Sequence, residues 1–319
     1  MPQTIQGEIS RSLARGIAIT SLIIAVAVYM PILGFFCSLF VPLPILFYRS
    51  KLGRRAGAII PLVSVVIMFL MLGRISIDIL FFLELLLIGF VLSELLELNL
   101  SVEKTVLYTC CTVLMAGTFC LIFYSNVSQK GLSAMVSDYV TKNLELTMSV
   151  YENMGMPEES IHVLSSSLEQ IRYVLIRIIP ALVVSFTLFV VWTTLLMAKP
   201  ILKNRDIFYP EFGPLKLWKT PEILVWGVIG CGIMLLFPDK TFKILGLNGL
   251  LILMTIYFFG GIAILSFYFE KKNLPPMLRI ILYSLIALQQ VVLLIVIGLG
   301  FFDMWLNFRK LKIEDKKDI

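Results

Sequence analysis

Four carboxylates stand in RISIDILFFLELLLIGFVLSELLEL, residues 74–98: Asp78, Glu84, Glu94 and Glu97. The stretch is apolar enough to cross a bilayer, and an ionised carboxylate near the middle of one costs about 3 kcal/mol or more. Acids kept at that cost point to binding, proton handling or pairing between helices. Asp78 follows Arg74 by four residues, so the two share a helix face near one membrane edge, where an ion pair lowers the cost. Glu94 and Glu97 stand at the opposite end, within reach of water or of Lys104. Glu84 lies about 15 Å along the axis from Arg74, close to mid-bilayer. With no partner within one turn, it is protonated, paired with another helix, or turned towards a polar cavity.

Other spans carry polar groups at a similar depth. Gln289 and Gln290 fall roughly nine residues into the last apolar run, and Thr255 and Tyr257 fall midway along the one before it. Arg177 sits about one turn into its span, where a long side chain can snorkel outward or point down towards Asp78. Glu84, Tyr257, Gln289 and Gln290, with Asp78 and Arg177 nearer the mouth, form a candidate binding set for a small polar or cationic ligand. The alternative is that Glu84 only fixes helix packing through a hydrogen bond, a contact worth roughly 0.6 kcal/mol. Catalytic constellations are missing. The chain has a single histidine, His162, so neither a zinc site built on His pairs nor a Ser-His-Asp triad is expected. No GxxxxGK[ST] phosphate loop occurs, and the acids have no second catalytic group at a defined spacing. The expectation is a protein that is not an enzyme, with no metal and no cofactor, any ATP dependence coming from a partner.

The elements that must position these residues are membrane helices. Of 319 residues 59% are hydrophobic and 15% charged, with a mean hydropathy of +0.93, against about half apolar and a quarter charged in soluble domains. The formal charge of +6 comes from short Lys and Arg clusters between apolar runs, which reads as an orientation signal and excludes a nucleic-acid surface. All five cysteines lie inside apolar runs and read as small buried hydrophobes. No A-x-A site follows the first apolar run, so the N-terminus is expected to stay as an uncleaved anchor. Runs long enough for a core of about 30 Å recur at 16–31, 33–47, 56–72, 75–96, 105–123, 173–197, 223–237, 244–269 and 280–302. The predicted class is an all-α polytopic integral membrane bundle of about eight or nine transmembrane helices.

Pro31, Pro42 and Pro44 split the first two runs into two short or partly re-entrant helices. Arg11 and Arg15 then share the cytoplasmic side with Arg49, Lys51, Arg54 and Arg55, which places the N-terminus in the cytoplasm. Alternation puts Lys199, Lys203, Arg205, Lys216, Lys219, Lys271, Lys272 and Arg279 inside as well. The basic tail from Arg309 to Lys317 falls outside, so either one run does not cross or the tail ignores the rule. Four segments follow: an N-terminal membrane bundle (1–125), an amphipathic helical hairpin (126–170), a C-terminal bundle with a Pro/aromatic loop at 198–222 (171–305), and a basic tail (306–319). In the hairpin, Leu132, Met135, Tyr139, Leu144, Met148 and Tyr151 make one apolar helix face, and Pro157 with Glu158 and Glu159 opens a second helix. In the loop, Tyr209, Phe212 and Trp218 are expected at the headgroup level.

The segments GGIAILSFYFEKKNLPPMLRIILYSLIALQQVVLLIVIGLGFFDMWLNFRKL, FYPEFGPLKLWKTPEILVWG and LPILFYRSKLGRRAGAIIPL resemble the YybS-like family of uncharacterised bacterial membrane proteins over most of the chain. The first half is also distantly similar to the S components of energy-coupling factor transporters, which meet their coupling partner through an AxxxA stripe. Ala14 and Ala18 in LARGIAIT match that spacing, and small-xxx-small helix packing explains them equally well. The resemblance implies a bacterial cytoplasmic (inner) membrane protein that binds or helps transport a solute, without its own ATPase, beside transporter coupling or ATPase subunits. The alternative is an envelope scaffold that docks envelope proteins through its hairpin and loop.

Overall fold

The computed structural model describes residues 2–73 and 77–309. Every regular element among them is helical: α1 (Pro2–Tyr29), α2 (Pro31–Ser38), α3 (Pro42–Leu52), α4 (Arg54–Leu72), α5 (Ile77–Glu97), α6 (Val102–Val127), α7 (Leu132–Asn153), α8 (Glu158–Lys203), α9 (Leu224–Leu236), α10 (Lys240–Lys271), α11 (Pro276–Leu288) and α12 (Gln290–Leu306). Seven stretches among them are long and apolar enough to cross a membrane, and the bent pair α11–α12 makes an eighth if it counts as one span. The class is therefore the expected polytopic α bundle. The ninth apolar run, 223–237, forms only the 13-residue α9. Arg74 and residues 310–319 lie outside the described residues, and with them the Arg74–Asp78 pair and most of the basic tail.

Proline punctuation acts as the sequence requires. α2 and α3 restart at Pro31 and Pro42, where a missing N–H leaves no helical bond unmade. Pro157 caps α8, which then runs 46 residues without a break, from the hairpin into the membrane-crossing length. The hairpin closes where Arg172 of α8 donates to the Ser137 hydroxyl of α7 at 2.7 Å.

The chain divides into two compact units, which differ from the four expected segments. The first comprises Met1–Ile176 and Phe186–Glu211, and the second Arg177–Ser185 and Phe212–Ile319. In the first unit α3 sits against α1, α4 and α5. Gly89 of α5 lies against the Pro42 carbonyl and the Ile45 side chain, and Gly57 of α4 against the Arg49 backbone, so neither position has room for a Cβ. Arg49 is buried, 2% exposed, and it bonds Glu94 at 2.5 Å, Glu97, and the Ser93 carbonyl at 3.2 Å. The acids at the end of α5 are thus partners of Arg49 rather than of Lys104, and they also reach water, as expected, at 25% and 54% exposure. A guanidinium taken out of water needs several acceptors, and two carboxylates one turn apart on α5 supply them.

In the second unit, Lys216 pairs with Glu270 at the end of α10 at 2.5 Å, and Asp239 caps its start, accepting from the Thr241 and Phe242 amides. Those two amides also hold the Asp239 carboxyl below its ordinary value. The 32-residue α10 is about 48 Å long, so the chain between Lys216 and Asp239 travels that whole length. α9 therefore runs antiparallel to α10, with Gly246 against the Cys231 carbonyl and Gly227 against Leu253. The last run, expected as one crossing over 280–302, is instead bent by 102° at Gln289. Its first arm leaves the C-terminal end of α10, where Arg279 donates to the Leu274 carbonyl at 2.8 Å and Tyr283 packs on Phe269. Its second arm returns to the same end. Tyr268 donates to the Phe308 carbonyl at 2.6 Å, and Arg309 donates to the Lys216 and Trp218 carbonyls, both at 2.9 Å. The pair α11–α12 is a V that begins and finishes at one end of α10.

The loop before α9 is non-helical apart from one 3-10 turn, Leu215–Leu217. Tyr209, expected at the headgroup level, is turned into the protein. It is buried and donates to the Leu195 carbonyl at 3.3 Å, and burial pushes its phenol well above the usual range.

Candidate functional site

A cleft of about 680 Å³ opens in the first unit where the start of α5, the end of α6 and one face of α7 meet. The tight turn between α6 and α7 folds α7 back over the mouth, and the cleft's polar wall comes from Asp78, Lys130, Asp138, Tyr139, Lys142 and Asn143. Lys130 and Asp138 bond each other at 2.9 Å, and that contact raises the ammonium above its ordinary value. Asp78 accepts from the Tyr139 hydroxyl at 3.4 Å. Burial, and then the Asp78 carboxylate, push the Tyr139 phenol up, which keeps it a donor. One acid and one base of the wall, Asp78 and Lys142, are not spent on each other. Such a site suits a small polar solute with an amine for Asp78 and room for an anionic group near Lys142. Of the residues expected to bind ligand, Asp78 lines this cleft; the sequence shows the face of α7 that completes it only as amphipathic.

Glu84 lies six residues beyond Asp78 on α5, about 9 Å deeper, and lines neither this cleft nor the second cavity of the unit. Its carboxyl accepts from the Thr187 hydroxyl of α8 at 2.8 Å, and beside it Gly117 of α6 leaves open space of ordinary contact distance, about 4.0 Å. Three helices thus meet at one half-buried acid. Of the three alternatives the sequence leaves for Glu84, the Thr187 bond supplies a partner on another helix.

Arg177, Tyr257, Gln289 and Gln290 belong to the second unit. The glutamines are exposed and stand at the break of the V, rather than nine residues inside an unbroken helix. The Tyr257 carbonyl faces Gly300, ten residues past Gln290, so the tyrosine is about 15 Å from the glutamines along α12. The Tyr257 side chain is buried against Phe301, and its hydroxyl has no partner among the described residues. Asn248 of α10 is a polar residue that sequence reasoning passes over. Its amide accepts from the Ala181 backbone N–H at 3.2 Å and donates to the Arg177 carbonyl at 3.0 Å. In an α-helix those two groups stand at bonding spacing; Asn248 reaches both of them beside Pro180, which has no N–H of its own. The signal for it was a lone Asn in one apolar run and a proline inside another. Ala14 and Ala18 lie exposed on the outer face of α1, opposite its buried Gly16 and Thr20. Among the described residues no group of three His, Cys, Asp or Glu side chains is placed to hold a metal ion.

A family model described as a predicted membrane protein (DUF2232) matches residues 18–304. The uncharacterized protein YybS of Bacillus subtilis (strain 168) is 21% identical over 313 residues, which cover 94% of this chain and 98% of that protein. Neither match is to an S component. No solved structure matches.

Proposed function

This chain belongs to the DUF2232 family of predicted membrane proteins, and from that premise we propose that it is a solute-binding or transport-related membrane subunit whose ligand enters at the Asp78 cleft. The observation that carries the reading is the pairing pattern in that wall: Lys130 and Asp138 satisfy each other, while Asp78, with only the Tyr139 hydroxyl on it among the described residues, and Lys142 line the space. Glu84, deeper on the same helix, serves as the polar junction of α5, α6 and α8. With no phosphate loop in the sequence, movement of the ligand is driven by a coupling or ATPase partner. The purified protein in detergent, screened against polar amines and amino acids, is expected to gain thermal stability with a subset of them. Asp78→Asn is expected to weaken that binding about tenfold, or 1.4 kcal/mol, with unchanged melting of the free protein. A full panel that moves nothing, with the α7–α8 hairpin retaining an envelope protein on mild pull-down, would replace this reading with the scaffold one.

The orientation proposed is the bacterial cytoplasmic membrane with both chain ends inside. Counting α1, α2–α3, α4, α5, α6, α8 and α10 as crossings, the segment around the short α9 as one more because the chain there travels the length of α10, and the α11–α12 V as re-entrant gives an even number. Lys216, Lys219, Lys271 and Arg309 then share the side of Arg11 and Arg15, and the tail obeys the positive-inside rule that a ninth crossing breaks. In a cysteine-free background, a membrane-impermeant maleimide applied to intact cells is expected to label Gly131→Cys and to leave Asn307→Cys unlabelled until the cells are opened. Labelling of Asn307→Cys in intact cells would refute the V as a re-entrant element.

A further inference from the structure

We propose that the first unit holds one acyl chain of an anionic phospholipid in a groove between α1, α3 and the end of α8, with Arg205 on the phosphate of its headgroup. The groove has a volume of about 540 Å³, and its wall includes Ile19, Cys37, Phe40, Phe47 and Tyr48. Ile19 and Phe40 are 43% and 41% exposed, so the protein itself leaves the slot uncovered. Arg205 is the one charged residue in the wall. It follows the last turn of α8, in a stretch whose charges are Lys199, Lys203, Arg205 and a single acid, Asp206. An apolar slot that ends on a cation fits a molecule with an oily body and an anionic end. Membrane crevices accept hydrocarbon chains of every lipid, so the slot alone gives no selectivity. The guanidinium does, because it bonds a phosphate in a fork, and a zwitterionic headgroup brings a cation of its own that competes for the same oxygens. The basic end of the slot also lies on the side where Lys51 meets Ser12 of α1 at 3.2 Å, the side proposed above to face the anionic inner leaflet. The inference does not depend on the solute cleft, which lies on other faces of the unit.

The test is lipid retention by the full chain in nanodiscs made from equal amounts of phosphatidylglycerol and phosphatidylcholine, read by native mass spectrometry after gentle release. Phosphatidylglycerol is expected to be retained about fivefold over phosphatidylcholine, the factor that corresponds to about 1 kcal/mol for one basic residue at an anionic surface. Arg205→Gln is expected to erase that preference with unchanged melting in lipid-free detergent, and Arg205→Lys to keep most of it. Ile19→Trp fills the slot and is expected to lower retention of the bound lipid even with Arg205 present. Equal retention of the two lipids by the native chain would overturn the proposal. So would a preference that survives Arg205→Gln, or, should that variant fail to fold, retention that survives Ile19→Trp.

Discussion

Removing both carboxylates that hold Arg49, by Glu94→Ala with Glu97→Ala, is expected to cost about 3–5 kcal/mol of stability, more than removing the arginine itself by Arg49→Met. The asymmetry follows from where the charges sit. Arg49 is 2% exposed, whereas the Glu94 and Glu97 side chains are 25% and 54% exposed. Without its acceptors the guanidinium keeps only the Ser93 carbonyl. It cannot swing out, because Gly57 is packed onto its Cα, Cβ and Cγ, with room for no side chain between them. Arg49→Met leaves two carboxylates that already reach water, a loss of about 1–2 kcal/mol. The triple variant removes the buried charge together with its partners and is expected to recover most of the loss, since a buried ion pair is often no better than an apolar group of similar size. Denaturant unfolding in mixed micelles across the full mutant cycle gives the coupling directly. If Arg49→Met proves the more damaging change, the cluster is not a buried cation served by rim acids.

The same cluster marks how far the sequence is legible. Apolar length and proline position identify the spans, because both are local: Pro31, Pro42 and Pro157 each open a helix where backbone chemistry requires it. Partner choice is not local. Lys104 is the cation nearest Glu97 along the chain, yet the partner is Arg49, 48 residues away, because α3 packs along α5 through Gly89. Glu84 meets Thr187 across 103 residues for the same kind of reason. Asp78 is legible as a polar edge residue, but the cleft around it depends on α7 folding back over the end of α6, and amphipathic periodicity alone does not say against what a helix lies. The V of α11–α12 leaves the weakest trace. Its break at Gln289 carries neither proline nor glycine, and the largely apolar run of 23 residues from 280 to 302 has a crossing's length. Only the small residues of α10 and α12 hint that the second arm runs beside α10.

Those small residues make the second large effect predictable. Gly300→Ala is expected to destabilise the second unit by about 3 kcal/mol, the top of the range for inserting one methyl group into a closed contact. A Cβ at Gly300 would sit on the Tyr257 carbonyl oxygen and 2.7 Å from the Gly261 amide nitrogen, and one at Gly261 would sit on the Val296 carbonyl. Both neighbours are backbone, so no side-chain rotation relieves the clash, and α12 must leave α10. Close helix approach through small residues is what holds membrane bundles together where no hydrophobic force acts between helices. Separation would also pull Phe301 from Tyr257, whose rings pack at 5.2 Å, and draw Arg309 from the Lys216 and Trp218 carbonyls. Gly298, two residues earlier on α12, has open space where its Cβ would go. Gly298→Ala is therefore expected to be neutral or slightly stabilising, within about 0.5 kcal/mol, since alanine favours the helix. Thermal unfolding of the two variants in the same detergent separates a packing effect from a general intolerance of the helix. Equal behaviour of the pair would mean that α10 and α12 are not in contact at Gly300, and would remove the geometric basis for the V and for the shared side of the two chain ends.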